Sequence, residues 1–202
     1  MTTAVLPFAY EFRFFAPDLT HELGTLTQHG VANVPVDTNE SYLVSRLTID
    51  ASVKIRAGRI EIKELTERTG VLEGWARAVA AELPVSGEFF MTEAAVRLGA
   101  HLDVEKERML SEQDILQIAS SYHGLTLAAV AKRRTIFDLD QCRGEFTSIT
   151  LGEHQADSIA IDGREAAAVL GKINTLGFHE RLNESYPCYL QRLVFYPEAA
   201  EP

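Results

Sequence analysis

The stretch that decides the fold is SVKIRAGRIEIKEL, residues 52–65. With the two-residue period of a β-strand, Val53 and Ile55 point one way and Lys54 and Arg56 the other. Beyond Ala57 and Gly58, Ile60 and Ile62 oppose Glu61 and Lys63 in the same manner. Strands joined by so short a turn run antiparallel. Each has one apolar face and one charged face. On a lone strand the charged face is ordinarily solvated, so the weight of the pattern depends on its recurrence.

It recurs. In AYEFRFFAP, residues 9–17, Tyr10, Phe12 and Phe14 share a core face while Glu11, Arg13 and Phe15 share the other. In LTLAAVAKRRTIFDL, residues 125–139, Lys132 and Arg134 lie on one side and Arg133 on the other, which leaves the facing of this strand open. Arg46 is a further candidate. Glu11 and Glu61 are the main acids that fall on the charged faces. A sheet closed into a barrel with these faces inward would enclose a cationic tube, which water or a polyanion must compensate.

The remaining chain supplies helices. Residues 8–65 read mainly as strands, ESYLVSRLTI (40–49) among them, with turns at Asn39–Glu40 and Ala57–Gly58. A helical segment is predicted over about 70–124. It starts with VLEGWARAVAAEL (71–83), where Leu72, Trp75, Ala76, Val79 and Leu83 recur at helical spacing before Pro84. GEFFMTEAAVRL (87–98) should end at Gly99. SEQDILQIASSYHG (111–124) has Ser111 and Asp114 as a capping pair and Gly124 as its stop. Trp75, Phe89 and Phe90 read as core anchors. Strands return in GEFTSITL (144–151) and DSIAI (157–161), followed by a helix DGREAAAVLGKINTLG (162–177) with Asp162 as cap and Gly177 as terminator. The order predicts an α+β chain with an antiparallel sheet.

Composition narrows the function classes. A chain of 202 residues with 46% hydrophobic and 24% charged residues is ordinary globular material and reads as one domain, 1–202. The net charge of −10 argues against a nucleic-acid partner. The sequence has no membrane-length apolar run and no basic leader, so a cytoplasmic location is expected. Cys142 and Cys188 lack metal-type spacing and read as reduced thiols. Gly171–Lys172 fails the P-loop test because position 166 is alanine, and the six histidines form no metal-spaced pair.

The ordered motifs resemble the CYTH, or triphosphate tunnel, family. VKIR (53–56) and IEIK (60–63) are similar to its basic second and third strands. Lys132–Arg133–Arg134 is similar to its K-x-R strand, Gly144–Glu145–Phe146 to the start of its GEF-x-EIE strand, and Ser185–Tyr186 to its closing SY. The resemblance implies a closed antiparallel eight-stranded β-barrel decorated by helices. It further implies a triphosphate-like anion held by Arg13, Lys54, Arg56, Lys63, Lys132 and Arg134, with Glu11 and Glu61 as metal candidates for Mg²⁺ or Mn²⁺. The departures are specific. Against the family's opening ExExK, EFRFF keeps Glu11 but has Arg13 and Phe15, and Ser148 and Thr150 stand for two glutamates of GEF-x-EIE. Arginine in a hard-oxygen shell repels a divalent ion. The expectation is therefore an anion-binding tunnel for inorganic triphosphate, polyphosphate or a nucleoside triphosphate, with a homodimer allowed. Triphosphate hydrolysis or adenylyl cyclisation is the activity the resemblance implies if turnover persists. The alternative is a non-catalytic phosphoanion sensor or interaction module.

Overall fold

The structure, a computed structural model, describes residues 8–197. In chain order the elements are β1 (Phe8–Ala16), α1 (Thr20–His29), β2 (Val31–Ala32), β3 (Val36–Ser45), β4 (Ala51–Arg56), β5 (Arg59–Thr69), β6 (Leu72–Glu82) and β7 (Val85–Ser86). Then come α2 (Gly87–Phe89), continuing as a π-helix (Phe90–Ala95) and a 3-10 turn (Val96–Leu98), β8 (Met109–Leu110), α3 (Glu112–Ser121), β9 (Leu125–Leu139), β10 (Cys142–Leu151), β11 (His154–Gly163), α4 (Ala166–Thr175) and α5 (Tyr186–Phe195). The large sheet has the order β10-β11-β1-β6-β5-β4-β3-β9-β2, and β10 also pairs with β9. Eight strands thereby close into the expected antiparallel barrel, with β2 appended to β9. The α+β class holds.

The chain divides into two compact units. Among the described residues the first comprises 8–39, Leu65–Ala76 and Val130–Ser185, the second Glu40–Glu64, Arg77–Ala129 and 186–197. In the second unit, the β4–β5 hairpin turns through Ala57 at φ 49° and Gly58 at φ 74°. Two successive positive φ values suit the right-handed twist of a tight hairpin. The register Val53↔Ile62 and Ile55↔Ile60 aligns four apolar side chains on one face. Phe90, Ala94, Leu98, Ile115 and Ala119 cover that face, all essentially buried. In the first unit, Phe12 and Phe14 of β1 and Ile159 and Ile161 of β11 pack with Leu26 of α1 and with Val169 and Ile173 of α4. Each fully buried large apolar side chain contributes roughly 1.5–3 kcal/mol, an upper bound because the unfolded chain is itself partly collapsed.

The local readings fare unevenly. The α3 capping box forms as read, Ser111 accepting from the Asp114 amide and Asp114 from the Ser111 amide. Gly99 and Gly177 take the left-handed conformation expected at helix ends, φ 69° and 75°. The predicted helix over 71–83 is instead β6. Its Leu72 and Trp75 are buried as anchors, but pairing with β1 through Glu11↔Glu73 and Phe8↔Ala76 overrides the helical spacing. Gly74 permits that pairing, since a Cβ there would lie 2.8 Å from the Phe8 ring.

Three further differences concern signals the sequence hid or misplaced. Helix α1 carries a narrow apolar stripe, burying only Glu22 and Leu26, and was not anticipated among the strands of 8–65. Asn39–Glu40 is no turn, because both residues lie inside β3. Asp162 belongs to β11 and binds Arg143, while Glu165 occupies the N-cap of α4.

Candidate functional site

In the first unit the polar face opposite Phe12 and Phe14 is built around one carboxylate. Register places Arg13 beside Ala160 and Glu145 beside the same Ala160, so Arg13 of β1 and Glu145 of β10 point from flanking strands to the same side of the sheet. Arg13 Nη1 and Nη2 donate to Glu145 Oε1 at 3.2 and 3.3 Å, and Nη1 also donates to Ser158 Oγ at 3.1 Å. Nε and Nη2 donate to the two oxygens of Glu11 at 3.0 and 3.4 Å. Thr147 Oγ1 donates to Glu145 as well, and Arg134 approaches its other oxygen at 3.6 Å.

Burial alone would push the Glu145 carboxyl up. The charges of Arg13, Arg134, Lys132 and Arg143 outweigh it and hold the group at about 2. Asp162, which receives Arg143 at 2.9 Å, is shifted upward by burial and by the negative charges of Glu11 and Glu145, although Arg143 opposes the shift.

The second unit repeats the arrangement with different residues. Glu40, 2% exposed, accepts from Lys54 Nζ at 3.2 Å, Arg56 Nη1 at 3.3 Å and the Tyr42 hydroxyl at 2.7 Å. Glu61 accepts from Arg56 Nη2 at 2.8 Å and lies 3.7 Å from Lys54 Nζ. Burial raises the Glu61 carboxyl, but Lys54, Arg56 and Arg77 together carry it below its ordinary value. Lys54 also sits 5.9 Å from the centre of the Tyr42 ring, which stacks on Tyr186.

The cations read from sequence thus gather as two groups, Arg13, Lys132 and Arg134 in the first unit and Lys54, Arg56 and Lys63 in the second. Lys63 is half-buried on the Glu61 face of β5. The facing of β9 is resolved: Arg134 lies opposite Thr147 and turns to Glu145, while Arg133 lies opposite Ser148, is well exposed and pairs with Asp37. Arg46 stands apart from both groups, its guanidinium over the Phe195 and Tyr196 rings.

Glu40 and Glu145 are the buried acids at the centres of these two groups, and sequence reasoning gave neither a site role. The assignment of Ser148 and Thr150 as replacements for carboxylates around Arg13 also fails. Ser148 pairs in register with Arg133 and donates to Asp157 at 2.9 Å, so it lies on the face opposite Glu145. The expectation of a cationic tube compensated by water or a polyanion is corrected accordingly, because the protein supplies buried counter-charges of its own, Glu40 and Glu145 beside Glu11 and Glu61.

A cleft of about 320 Å³ adjoins the first group, lined by Thr38, Asn39, Lys132, Arg133, Ser148 and Thr150 among others. Thr38 Oγ1 is buried there without a hydrogen-bond partner among the described residues. A divalent metal needs oxygen donors not already committed to cations. Glu11 and Glu145 hold Arg13, and Glu40 and Glu61 hold Lys54 and Arg56, so these donor sets do not fit one.

The closed antiparallel eight-stranded barrel is the fold expected from the resemblance to CYTH proteins, and solved structures share it. A conserved hypothetical protein from Pyrococcus furiosus superposes with a TM-score of 0.55 at 14% identity, over 89% of this chain and 98% of that one. A proposed adenylate cyclase from Bacillus halodurans gives 0.51 at 11% identity, over 91% and 97%. A proposed adenylyl cyclase from Hippeastrum, described as having a dominant triphosphatase activity, gives 0.50 at 9% identity, over 92% and 95%. No protein-family model and no curated protein matches the sequence.

Proposed function

We propose that this chain binds a triphosphate-like anion, inorganic triphosphate, polyphosphate or a nucleoside triphosphate, and that Lys132 and Arg134 of the first unit are its principal contacts there. The observation that carries the reading is the cleft that Lys132 lines, together with the cations gathered on Glu145. An unpartnered Thr38 hydroxyl offers a donor in the cleft, and four cations act on the single Glu145 carboxylate. An entering phosphate would find cationic and hydroxyl donors with little water to compete. Lys54, Arg56 and Lys63 form the corresponding anion-binding group of the second unit. The ligand is a small phosphate-bearing molecule rather than nucleic acid, in keeping with the net charge of −10.

Thermal denaturation with tripolyphosphate, ATP and pyrophosphate tests this, with potassium chloride at matched ionic strength as reference. Ligand at about one hundred times its Kd stabilises a folded chain by roughly 2.7 kcal/mol, so a rise of several degrees is expected. Lys132→Ala and Arg134→Ala should weaken it, while Lys106→Ala, at an exposed position, should not. No shift with any polyphosphate overturns the proposal and leaves an interaction module on this fold.

The dominant triphosphatase activity of the structurally similar Hippeastrum protein favours a second reading, in which the bound triphosphate is hydrolysed or, as ATP, cyclised. Phosphate and pyrophosphate release assays with and without Mn²⁺ separate turnover from binding alone.

A further inference from the structure

We infer that Arg13 is a built-in cation occupying a carboxylate pair that would otherwise bind a divalent metal, rather than a contact for ligand. The assignment stands whether or not the anion reading holds. A guanidinium has five N–H donors. All three Arg13 nitrogens are engaged, through five contacts to Glu11, Glu145 and Ser158 between 3.0 and 3.4 Å. The residue is 4% exposed. An anion would have to strip these contacts, leaving two carboxylates with a diminished partner in a poorly solvated place.

The backbone holds the side chain in station. The Arg13 amide donates to Asn183 Oδ1 at 2.7 Å, and its carbonyl accepts from the Glu184 amide at 2.7 Å. On its other edge β1 is paired with β11 at Arg13↔Ala160. Both edges of the strand at residue 13 are therefore fixed, and the guanidinium is delivered between an acid two residues away and an acid on β10.

Two carboxylates from different strands, joined by the hydroxyls of Thr147 and Ser158, are hard oxygen donors of the type Mg²⁺ and Mn²⁺ take. With a fixed positive charge between them they have no capacity for a second. Removal of the guanidinium frees Glu11 and one side of Glu145, on which Arg134, Lys132 and Arg143 still act, and leaves a space its own size. Asp162, which already feels both Glu11 and Glu145, adds to the negative field.

Mn²⁺ titration followed by electron paramagnetic resonance tests the inference without reference to activity. The wild type and Glu11→Gln should take up Mn²⁺ equally weakly. Arg13→Ala should bind it at least tenfold more tightly and gain thermal stability from it, and Arg13→Ala with Glu11→Gln should lose that gain. A wild-type Mn²⁺ site abolished by Glu11→Gln overturns the inference. So does an Arg13→Ala protein that retains the wild-type circular dichroism spectrum and binds Mn²⁺ no better than wild type. Should Arg13→Ala not fold, the comparison of wild type with Glu11→Gln decides.

Discussion

A carboxylate as deeply buried as Glu145 stays charged only because of its neighbours, and this makes the protein's stability depend on pH in a definite direction. Its folded value of about 2 lies below its ordinary 4.5. The stabilisation it confers is therefore complete above about pH 4.5 and is lost as pH falls through that window toward 2, an effect on the order of 3 kcal/mol. Urea denaturation at steps between pH 5 and pH 2.5 should show the loss, and Glu145→Gln should flatten it. At pH 7 the same substitution should cost about 3–5 kcal/mol, because it leaves the buried Arg13 and the half-buried Arg134 with inadequate counter-charge. A Glu145→Gln protein with unchanged urea midpoint at pH 7 would mean that the network is not bearing on stability. The residue was visible in the sequence only as part of a Gly-Glu-Phe run. Strand alternation shows which side of a sheet a residue faces, but Arg13 and Glu145 are 132 positions apart, and their meeting depends on strand order and register. Glu40 was hidden differently, since Asn39–Glu40 has turn-like composition yet sits within β3.

Among the elements, those whose signals are local were legible. Ser111 and Asp114 announce α3 by chemistry confined to four residues, and Ser111→Ala should lower stability by about 1 kcal/mol in thermal denaturation. Ala57–Gly58 similarly sets the hairpin that carries the Lys54, Arg56, Glu61 and Lys63 face, and that part of the candidate site could be read outright. Strand β6 could not. Alanine-rich sequence with apolar residues at helical spacing is compatible with both states, and the partner strand decides. Gly87 shows a comparable dependence on distant chain, since a Cβ there would fall 2.1 Å from the Glu105 carbonyl oxygen. Gly87→Ala should therefore destabilise more than Ser111→Ala, and equal melting temperatures for the two variants would contradict the packing described.

At the scale of the whole molecule, closure of the ring joins its first strand to its last, with register running from Tyr10↔Gly163 to Ala16↔Asp157. Such a seam demands a long loop closure before it returns any contact energy, so it belongs late in folding, after the local β4–β5 hairpin. Ile159→Val on the seam should then mainly accelerate unfolding, whereas Ile60→Val in the hairpin should mainly slow refolding. Each is expected to change stability by about 1 kcal/mol, enough for stopped-flow chevrons to apportion. The reverse apportionment would show that the seam nucleates the fold. Synthesis on the ribosome encounters the same geometry in time. Phe12 and Phe14 are synthesised long before the β11 residues that shield them, Ile159 and Ile161. At roughly 5–20 residues per second the nascent protein carries an uncovered aromatic strand for many seconds, a natural substrate for a holding chaperone.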